Sequence, residues 1–372
     1  MLIIVHFSYE PNTASTNRLL SYLNNFPLET IVKVYFLMPD RNRSKIDFLP
    51  PNIKVEYCWE HYRFLCKITK PLIYRHILKY VKRGLKKGDV VYCYNIPAYM
   101  DDLYKEGVRF YGERTETPEV TTSPSRLIPF SINKHLELCR KLDGIFVIST
   151  ALRDYYVLKG IPQEKIKIIN MTVDPNRFLG LFKTRVQHKY IAYCGNGNNT
   201  KDGLDILIRA FALIAAEFPN LYLYVIGSNS SKDDNINNQL IRDLDLVERV
   251  IFTGVVPAVE VPQLLKNAEL CALARPDSLQ AKCGFPTKLG EYLLTANPVV
   301  VTSVGDIPLF LENKISALLV QPGNPEEFAN KLRWVLDNNI ESMKIGQMGY
   351  EVAQKHFNAK IEVQKMLNFM QL

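Results

Sequence analysis

The sequence predicts an α/β protein built as two doubly wound domains, and three observations lead there. Short apolar runs alternate with helical patterns twice along the chain, which is the signature of βαβ units and parallel sheets. The alternation lapses over Met171–His188, where Pro175, Gly180 and a basic run replace it, and it resumes at Tyr190. A length of 372 residues suits two domains at roughly 100–200 residues each. The expected division is 1–172 for the first domain, 173–188 for a linker and 189–356 for the second, with a closing helix at 357–372.

In the first half, Leu2–Phe7, Thr30–Leu37, Ile53–Cys58, Asp89–Tyr94, Val108–Tyr111, Gly144–Ile148 and Lys165–Ile169 are apolar, β-branched or aromatic runs of strand length. Helical spacing fills Ala14–Asn25, Pro71–Lys86, Ala98–Glu106, Ile132–Leu142 and Ala151–Lys159 between them, with Ser149 or Thr150 placed to cap the last. In the second half, Tyr190–Cys194, Leu221–Ile226, Arg249–Thr253, Leu270–Ala274, Pro298–Val301 and Ala317–Val320 are the expected strands. Their helices are Gly203–Glu217, Ile236–Leu246, Ala258–Asn267, Thr287–Ala296, Ile307–Glu312 and Pro325–Asp337, followed by Ser342–His356 and Ala359–Met370.

Composition excludes several classes. With 47% hydrophobic and 23% charged residues the chain is globular rather than disordered. Its 7 cysteines are dispersed with no CxxC pair, against a disulfide framework or a structural zinc and in favour of a reducing cytoplasm. The opening LIIVHFSYEP meets Glu10 and Pro11 at once and lacks a basic leader, unlike a signal peptide, and no run reaches the roughly 18 apolar residues of a membrane span. The net charge of +8 is concentrated: Lys54–Lys87 holds ten basic residues against Glu56 and Glu60, interleaved with aromatics such as Trp59, Tyr62 and Tyr74. Such a segment suits the anionic inner face of a membrane or a solvated helix face. No nucleic-acid motif occurs elsewhere, and nucleic acid is not an expected partner.

Asp277–Thr302 carries the strongest functional signal. Gly284, Phe285 and Pro286 end a loop and deliver the helix that starts at Thr287. A helix N-terminus offers free amides and the positive end of a dipole, which attract phosphate. Lys288 adds a cation in the first turn, where acids are the rule, and Glu291 lies one turn on along the same face, suited to accepting ribose hydroxyls. An ordinary amphipathic helix with Leu289, Leu293 and Leu294 turned inward has the same spacing.

A second loop, Cys194–Gly203, joins a strand to a helix and contains Gly195, Asn196, Gly197 and Lys201. Thr200 stands where a dinucleotide fingerprint has its third glycine, so NAD is not expected. Gly227–Ser228 and Gly254–Val255–Val256 end two further strands. In the first domain, Asn12, Thr13, Ser15, Asn17 and Arg18 lead into the first helix, where they suit a phosphate or hydroxyl ligand or simple capping. Glu113, Arg114 and Glu116 follow the strand ending at Tyr111, a charge cluster that packing explains poorly. His6 is expected as a core or crevice residue. No clustered His, Cys or Asp spacing indicates a metal.

FPTKLGEYLLTANPVVVTSVGDIP, followed by SALLVQPGNPEEFANKL, resembles the donor-site signature of glycosyltransferase family 4. The resemblance spans the C-terminal half well and the N-terminal half loosely. It implies the GT-B fold, two Rossmann-like domains facing across a cleft, with the last helix returning to the first domain. It implies retaining transfer from a nucleoside-diphosphate sugar, as co-substrate and without metal or other cofactor, to a saccharide or polyprenyl-linked acceptor, as in surface polysaccharide synthesis. Lys201 then stabilises the leaving diphosphate, Gly195, Asn196, Gly197, Gly227, Val255 and Val256 line the donor, and Cys283, Gly284, Phe285, Pro286, Thr287, Lys288 and Glu291 complete its site. Glu116 is the candidate for catalytic contact with the sugar, and Glu113 and Arg114 for the acceptor. Three departures stand out: Cys283 replaces the first of the family's paired glutamates, Asn196 or a neighbour replaces a loop arginine, and no histidine falls near Glu113–Glu119. A catalytically degenerate binding partner and a sugar-nucleotide epimerase are the rival expectations.

Overall fold

Every apolar run expected as a strand forms one, in two parallel sheets. The computed structural model describes residues 1–11, 13–62, 70–94, 100–121, 131–227 and 233–372. The chain divides into two units, Met1–Asn170 with Ala359–Leu372, and Met171–Asn358.

In the first unit the strands are β1 (Leu2–His6), β2 (Val32–Phe36), β3 (Ile53–Tyr57), β4 (Val90–Tyr94), β5 (Arg109–Arg114), β6 (Gly144–Val147) and β7 (Ile166–Ile168). Their order is β3-β2-β1-β4-β5-β6-β7. β1 and β4 are buried along their whole length, as strands covered by helices on both faces must be. Leu2 pairs with Val32 on one side and Val90 on the other, so the winding reverses between β1 and β4. Ligand crevices in open α/β sheets lie outside the carboxyl ends at such a reversal. Leu2, Ile4, Tyr22, Phe36, Tyr92 and Phe146 share one core with Val363, Met366 and Met370 of the helix Ala359–Met370. That helix is fastened by Asn170 N–H to Glu362 Oε2 (2.9 Å) and by Arg109 Nη1 to the Met370 carbonyl (2.7 Å).

Two expectations are corrected in this unit, and one of the two readings of the basic segment gains support. Of the helix expected at Ala98–Glu106, the described part is only a 3-10 turn at Met100–Asp102. Its acids serve neighbours instead, Asp101 pairing with Lys134 and Lys141 and Asp102 with Arg75. β5 runs on through Glu113 and Arg114, so these belong to the strand and not to a loop after it. The basic segment has a core-facing stripe: Tyr74, Ile77, Leu78 and Val81 of the helix Lys70–Gly84, and Trp59 before it, are buried, while Leu72 of that helix is exposed. Lys79, Arg83, Lys86 and Lys87 remain as an exposed basic edge. Residues 63–69 of the segment, among them Arg63 and Lys67, lie outside the described residues. Among the described residues no helix is long and apolar enough to cross a membrane.

In the second unit the strands are β8 (Lys189–Cys194), β9 (Leu221–Ile226), β10 (Val250–Gly254), β11 (Leu270–Leu273), β12 (Val299–Thr302) and β13 (Leu318–Val320). Their order is β10-β9-β8-β11-β12-β13, reversing between β8 and β11. The helix Pro325–Asp337 starts on Asn324, whose side chain accepts the Glu327 amide hydrogen at 2.9 Å, with Pro325 at the position that needs no N–H. The helix expected at Gly203–Glu217 forms as Leu204–Ala215, and a short helix that was not expected, Asn199–Asp202, precedes it. Gly203 separates them at φ 68, a left-handed conformation open to glycine at little cost.

Candidate functional site

The reversal between β8 and β11 gathers most of the donor-site candidates. Gly195 N–H donates to the Ile226 carbonyl (2.8 Å) and Gly227 N–H to the Gly254 carbonyl (3.1 Å), which sets the ends of β8, β9 and β10 side by side. A Cβ on Gly227 would stand 2.5 Å from the Gly195 carbonyl oxygen, so only glycine permits this approach. Val255, 72% exposed, and the half-buried Val256 follow β10. Ser228 lies outside the described residues.

After Gly195 the chain makes the short turn of helix Asn199–Asp202. Asn198 caps it, accepting from Lys201 N–H at 2.9 Å. Asp233 accepts from Asn199 N–H (2.8 Å), and Asn237 Nδ2 donates to the Gly197 carbonyl (3.1 Å), so the loop is held from behind. Lys201 is half-buried in this turn, and Asn196 is exposed.

The other wall is the helix Thr287–Leu294, which follows the short helix Leu279–Cys283. Tyr292 Oη receives the Cys194 N–H at 2.6 Å, tying helix to loop. Thr287 and Lys288 lie in the first turn, where amides have no intrahelical carbonyl. Lys288 Nζ reaches Asp202 Oδ2 at 2.6 Å and Tyr193 Oη at 3.3 Å, and Tyr193 Oη also donates to Asp202 at 3.0 Å. Asp202 is 5% exposed on its side chain. Burial opposes its charge, but the Lys288 ammonium prevails and holds the carboxyl below its ordinary range. Glu291 Oε1 is paired with Arg177, which also donates to the Ala258 carbonyl at 2.9 Å. Glu291 Oε2 has no hydrogen bond among the described residues.

The structure therefore changes several assignments. Lys288 is not an unbalanced cation, because Asp202 supplies the acid missing from the first turn. The amide of Gly284 is spent on the Gln280 carbonyl at 3.0 Å and offers nothing to a sugar. Cys283, Phe285 and Pro286 are buried, and Lys282 pairs with Asp277 at 2.8 Å. Sequence reasoning overlooked Arg177, Tyr193 and the role of Asp202. The one available sign was a lysine in a first turn that has no acid of its own.

In the first unit Thr13 caps the helix Ala14–Leu23 by accepting from Thr16 N–H at 3.3 Å, and Ser15 Oγ lies 3.2 Å from Thr13 Oγ1. Asn17 is exposed, and Asn12 lies outside the described residues. Arg18 is not an acceptor contact. It is 2% exposed, with Nε 2.5 Å from Glu113 Oε1 and its other nitrogens on the carbonyls of Ile169 and Asn170. Glu113, 0% exposed, also receives the hydroxyls of Tyr22 and Tyr92. Arg114 is likewise spent inside, 2.7 Å from His135 Nδ1. Burial and the neighbouring Arg114 push the His135 pKa down to about 2, so its ring is a neutral partner. Glu116 follows β5 and is half-buried. Among the described residues no group of three or more His, Cys, Asp and Glu is arranged to hold a metal.

Residues 188–338 match the family described as glycosyl transferases group 1. D-inositol 3-phosphate glycosyltransferase of Corynebacterium aurimucosum is 29% identical over 192 residues, which is 50% of this chain and 43% of that protein. The chain spans less than half the length of the curated relatives it first matches, 43% and 44%. Among solved structures, HepE of Anabaena in complex with UDP-glucose superposes with a TM-score of 0.76 at 18% identity, over 100% of this chain and 99% of that one. Sucrose-phosphate synthase of Thermosynechococcus elongatus gives 0.73 at 13%, over 100% and 98%. Structural likeness at these identities shows the fold alone, and the fold is GT-B. The similarity to the group 1 glycosyl transferases lies in residues 188–338, within the second unit.

Proposed function

We propose that the protein is a retaining, family 4-type glycosyltransferase that moves a sugar from a nucleoside diphosphate to a saccharide or lipid-linked saccharide, without a metal. The observation that carries this is the pairing of the Gly195–Asp202 loop with the first turn of the helix Thr287–Leu294 at the reversal of the second sheet. Two lysines, two first-turn amides and a carboxylate with one open oxygen are the groups a nucleoside diphosphate needs. The complex of HepE with UDP-glucose supports a donor of that class.

In the proposed reaction the bond from the anomeric carbon to the phosphate oxygen breaks, and the acceptor oxygen bonds to the same face. The departing phosphate oxygen takes the acceptor proton, so no side-chain base is required. Lys201 stabilises the charge that develops on the diphosphate, Glu291 Oε2 accepts a ribose hydroxyl, and Glu116 is the candidate contact for the transferred sugar. The exposed edge Lys79, Arg83, Lys86 and Lys87 is suited to the anionic cytoplasmic face of a membrane, where lipid-linked acceptors for surface polysaccharide reside. Electrostatics would carry most of the attraction there, since Tyr74, Ile77, Leu78 and Val81 of that helix are buried and only Leu72 among its described apolar residues is strongly exposed.

A degenerate partner subunit is the second reading, favoured by Cys283 and by the pairs that Lys288 and Glu291 already make. Incubation with UDP-, GDP- and ADP-sugars in the presence of a chelator separates the two. Release of a nucleoside diphosphate is the expected result, slow without acceptor and faster with a membrane extract. No release from any donor contradicts an enzyme, and a C2-inverted product in its place makes it an epimerase.

A further inference from the structure

A cavity of about 180 Å³ in the first unit is lined by His6, Phe7, Ser8, Glu10, Ser15 and Tyr94. It lies at the carboxyl ends of β1 and β4, where the first sheet reverses, the place such sheets keep for ligands. Drug-sized ligands occupy roughly 300–1,000 Å³, so this space suits a single ring.

His6 gives the cavity its chemistry. The residue is 5% exposed, and its Nδ1 lies 2.8 Å from the Ser8 carbonyl oxygen. A carbonyl only accepts, so Nδ1 carries the hydrogen and Nε2 presents a lone pair. Nε2 is buried and has no hydrogen-bond partner among the described residues. Buried polar atoms seldom stay unsatisfied without a functional cause or an unseen ligand. Burial pushes the imidazole pKa down to about 4, the Ser8 bond opposing it only in part, so the ring stays neutral and the lone pair is kept at neutral pH.

The rest of the lining agrees. Tyr94 stacks on the His6 ring at 5.2 Å between centroids and 23° between planes, which fixes the imidazole. Glu10 holds Ser8 Oγ at 2.9 Å through Oε1, Ser15 adds a hydroxyl, and Phe7 an exposed aromatic face. Among the described residues no lysine or arginine lines the space, so a phosphate would meet the Glu10 carboxylate there without a described cation to balance it. Acceptors for hydroxyl hydrogens beside aromatic rings are the chemistry that recognises a sugar.

We propose that this cavity is a hydroxyl-recognition subsite for one monosaccharide ring of the acceptor, with His6 Nε2 accepting one hydroxyl hydrogen and Glu10 another. The proposal rests on the transferase reading only in identifying that sugar as part of the acceptor.

The full chain, labelled with 15N-histidine, is titrated with the methyl α-glycosides of glucose, galactose, mannose and N-acetylglucosamine, and separately with inorganic phosphate. His6→Gln identifies the resonance by its loss. At least one glycoside is expected to shift the His6 Nε2 signal to lower frequency, saturably, as the lone pair takes a hydrogen bond. Phosphate is expected to leave it unmoved. Glu10→Gln, at an exposed side chain, should weaken that glycoside about tenfold, the loss of one hydrogen bond to a charged acceptor. The proposal is overturned if no glycoside moves the signal, if phosphate does, or if Glu10→Gln binds as wild type. Stabilisation by nucleoside diphosphates in the same sample would then leave the transferase standing and remove the subsite alone.

Discussion

Lys201→Ala is expected to lower the turnover of the nucleotide sugar by about 10²–10³-fold, the usual cost of removing a charge or donor aimed at developing negative charge. Two lysines stand at the proposed diphosphate site, and they are not equivalent. Lys288 spends two of its three donors on Asp202 and Tyr193, and a buried carboxylate beside it offsets its charge. Asn196 in the same loop is neutral. In the proposed reaction Lys201, half-buried in the turn that Asn198 caps, is the lysine assigned to the leaving group. Because charge grows on the phosphate only as the bond breaks, the loss should appear in kcat far more than in KM. Single-turnover kinetics with saturating donor measure it directly. A fall of less than about threefold would move the role elsewhere, and Arg177 would be the next candidate.

Glu113→Ala is expected to cost about 3–5 kcal/mol of stability, because it strands a buried guanidinium. Arg18 keeps its two backbone carbonyl contacts, but no anion remains to balance it, and the hydroxyls of Tyr22 and Tyr92 lose their acceptor. Against a typical total of 5–15 kcal/mol, the first unit would be left barely folded. The double substitution Arg18→Met, Glu113→Leu removes both charges and should recover most of the loss, as replacement of buried ion pairs by apolar groups often does. Urea denaturation followed by circular dichroism reads both variants. A loss below about 1 kcal/mol for Glu113→Ala, with weakened acceptor use, would return Glu113 to the acceptor site.

The strands were legible because each is an apolar, β-branched run of the right length with a turn at either end. Pro325–Asp337 was legible to the residue, since Asn324 and Pro325 mark its start. What escaped the sequence was pairing at a distance. Glu113 and Arg114 look like a site cluster because nothing local balances them, yet Arg18 lies 95 residues away and His135 21. The same holds in the second unit, where Asp202 meets Lys288 across 86 residues and Arg177 meets Glu291 across 114. A sequence motif names the residues around a ligand, whereas the ion pairs that hold or occupy them come from the fold. The short helix Asn199–Asp202 escaped for a local reason, since four residues are too few to show a helical period.

The most direct test of the donor site is the thermal stability of wild type and Glu291→Gln with UDP, GDP and ADP, in the absence of metal. At about a hundred times its dissociation constant, one of these should raise wild-type stability by roughly 2.7 kcal/mol. Glu291→Gln should show no comparable rise at the same concentration, while unfolding at the wild-type temperature without ligand to within a few degrees. Wild type unmoved by all three, or Glu291→Gln responding as wild type does, would contradict the assignment of the second unit as a nucleotide-sugar site built on Glu291.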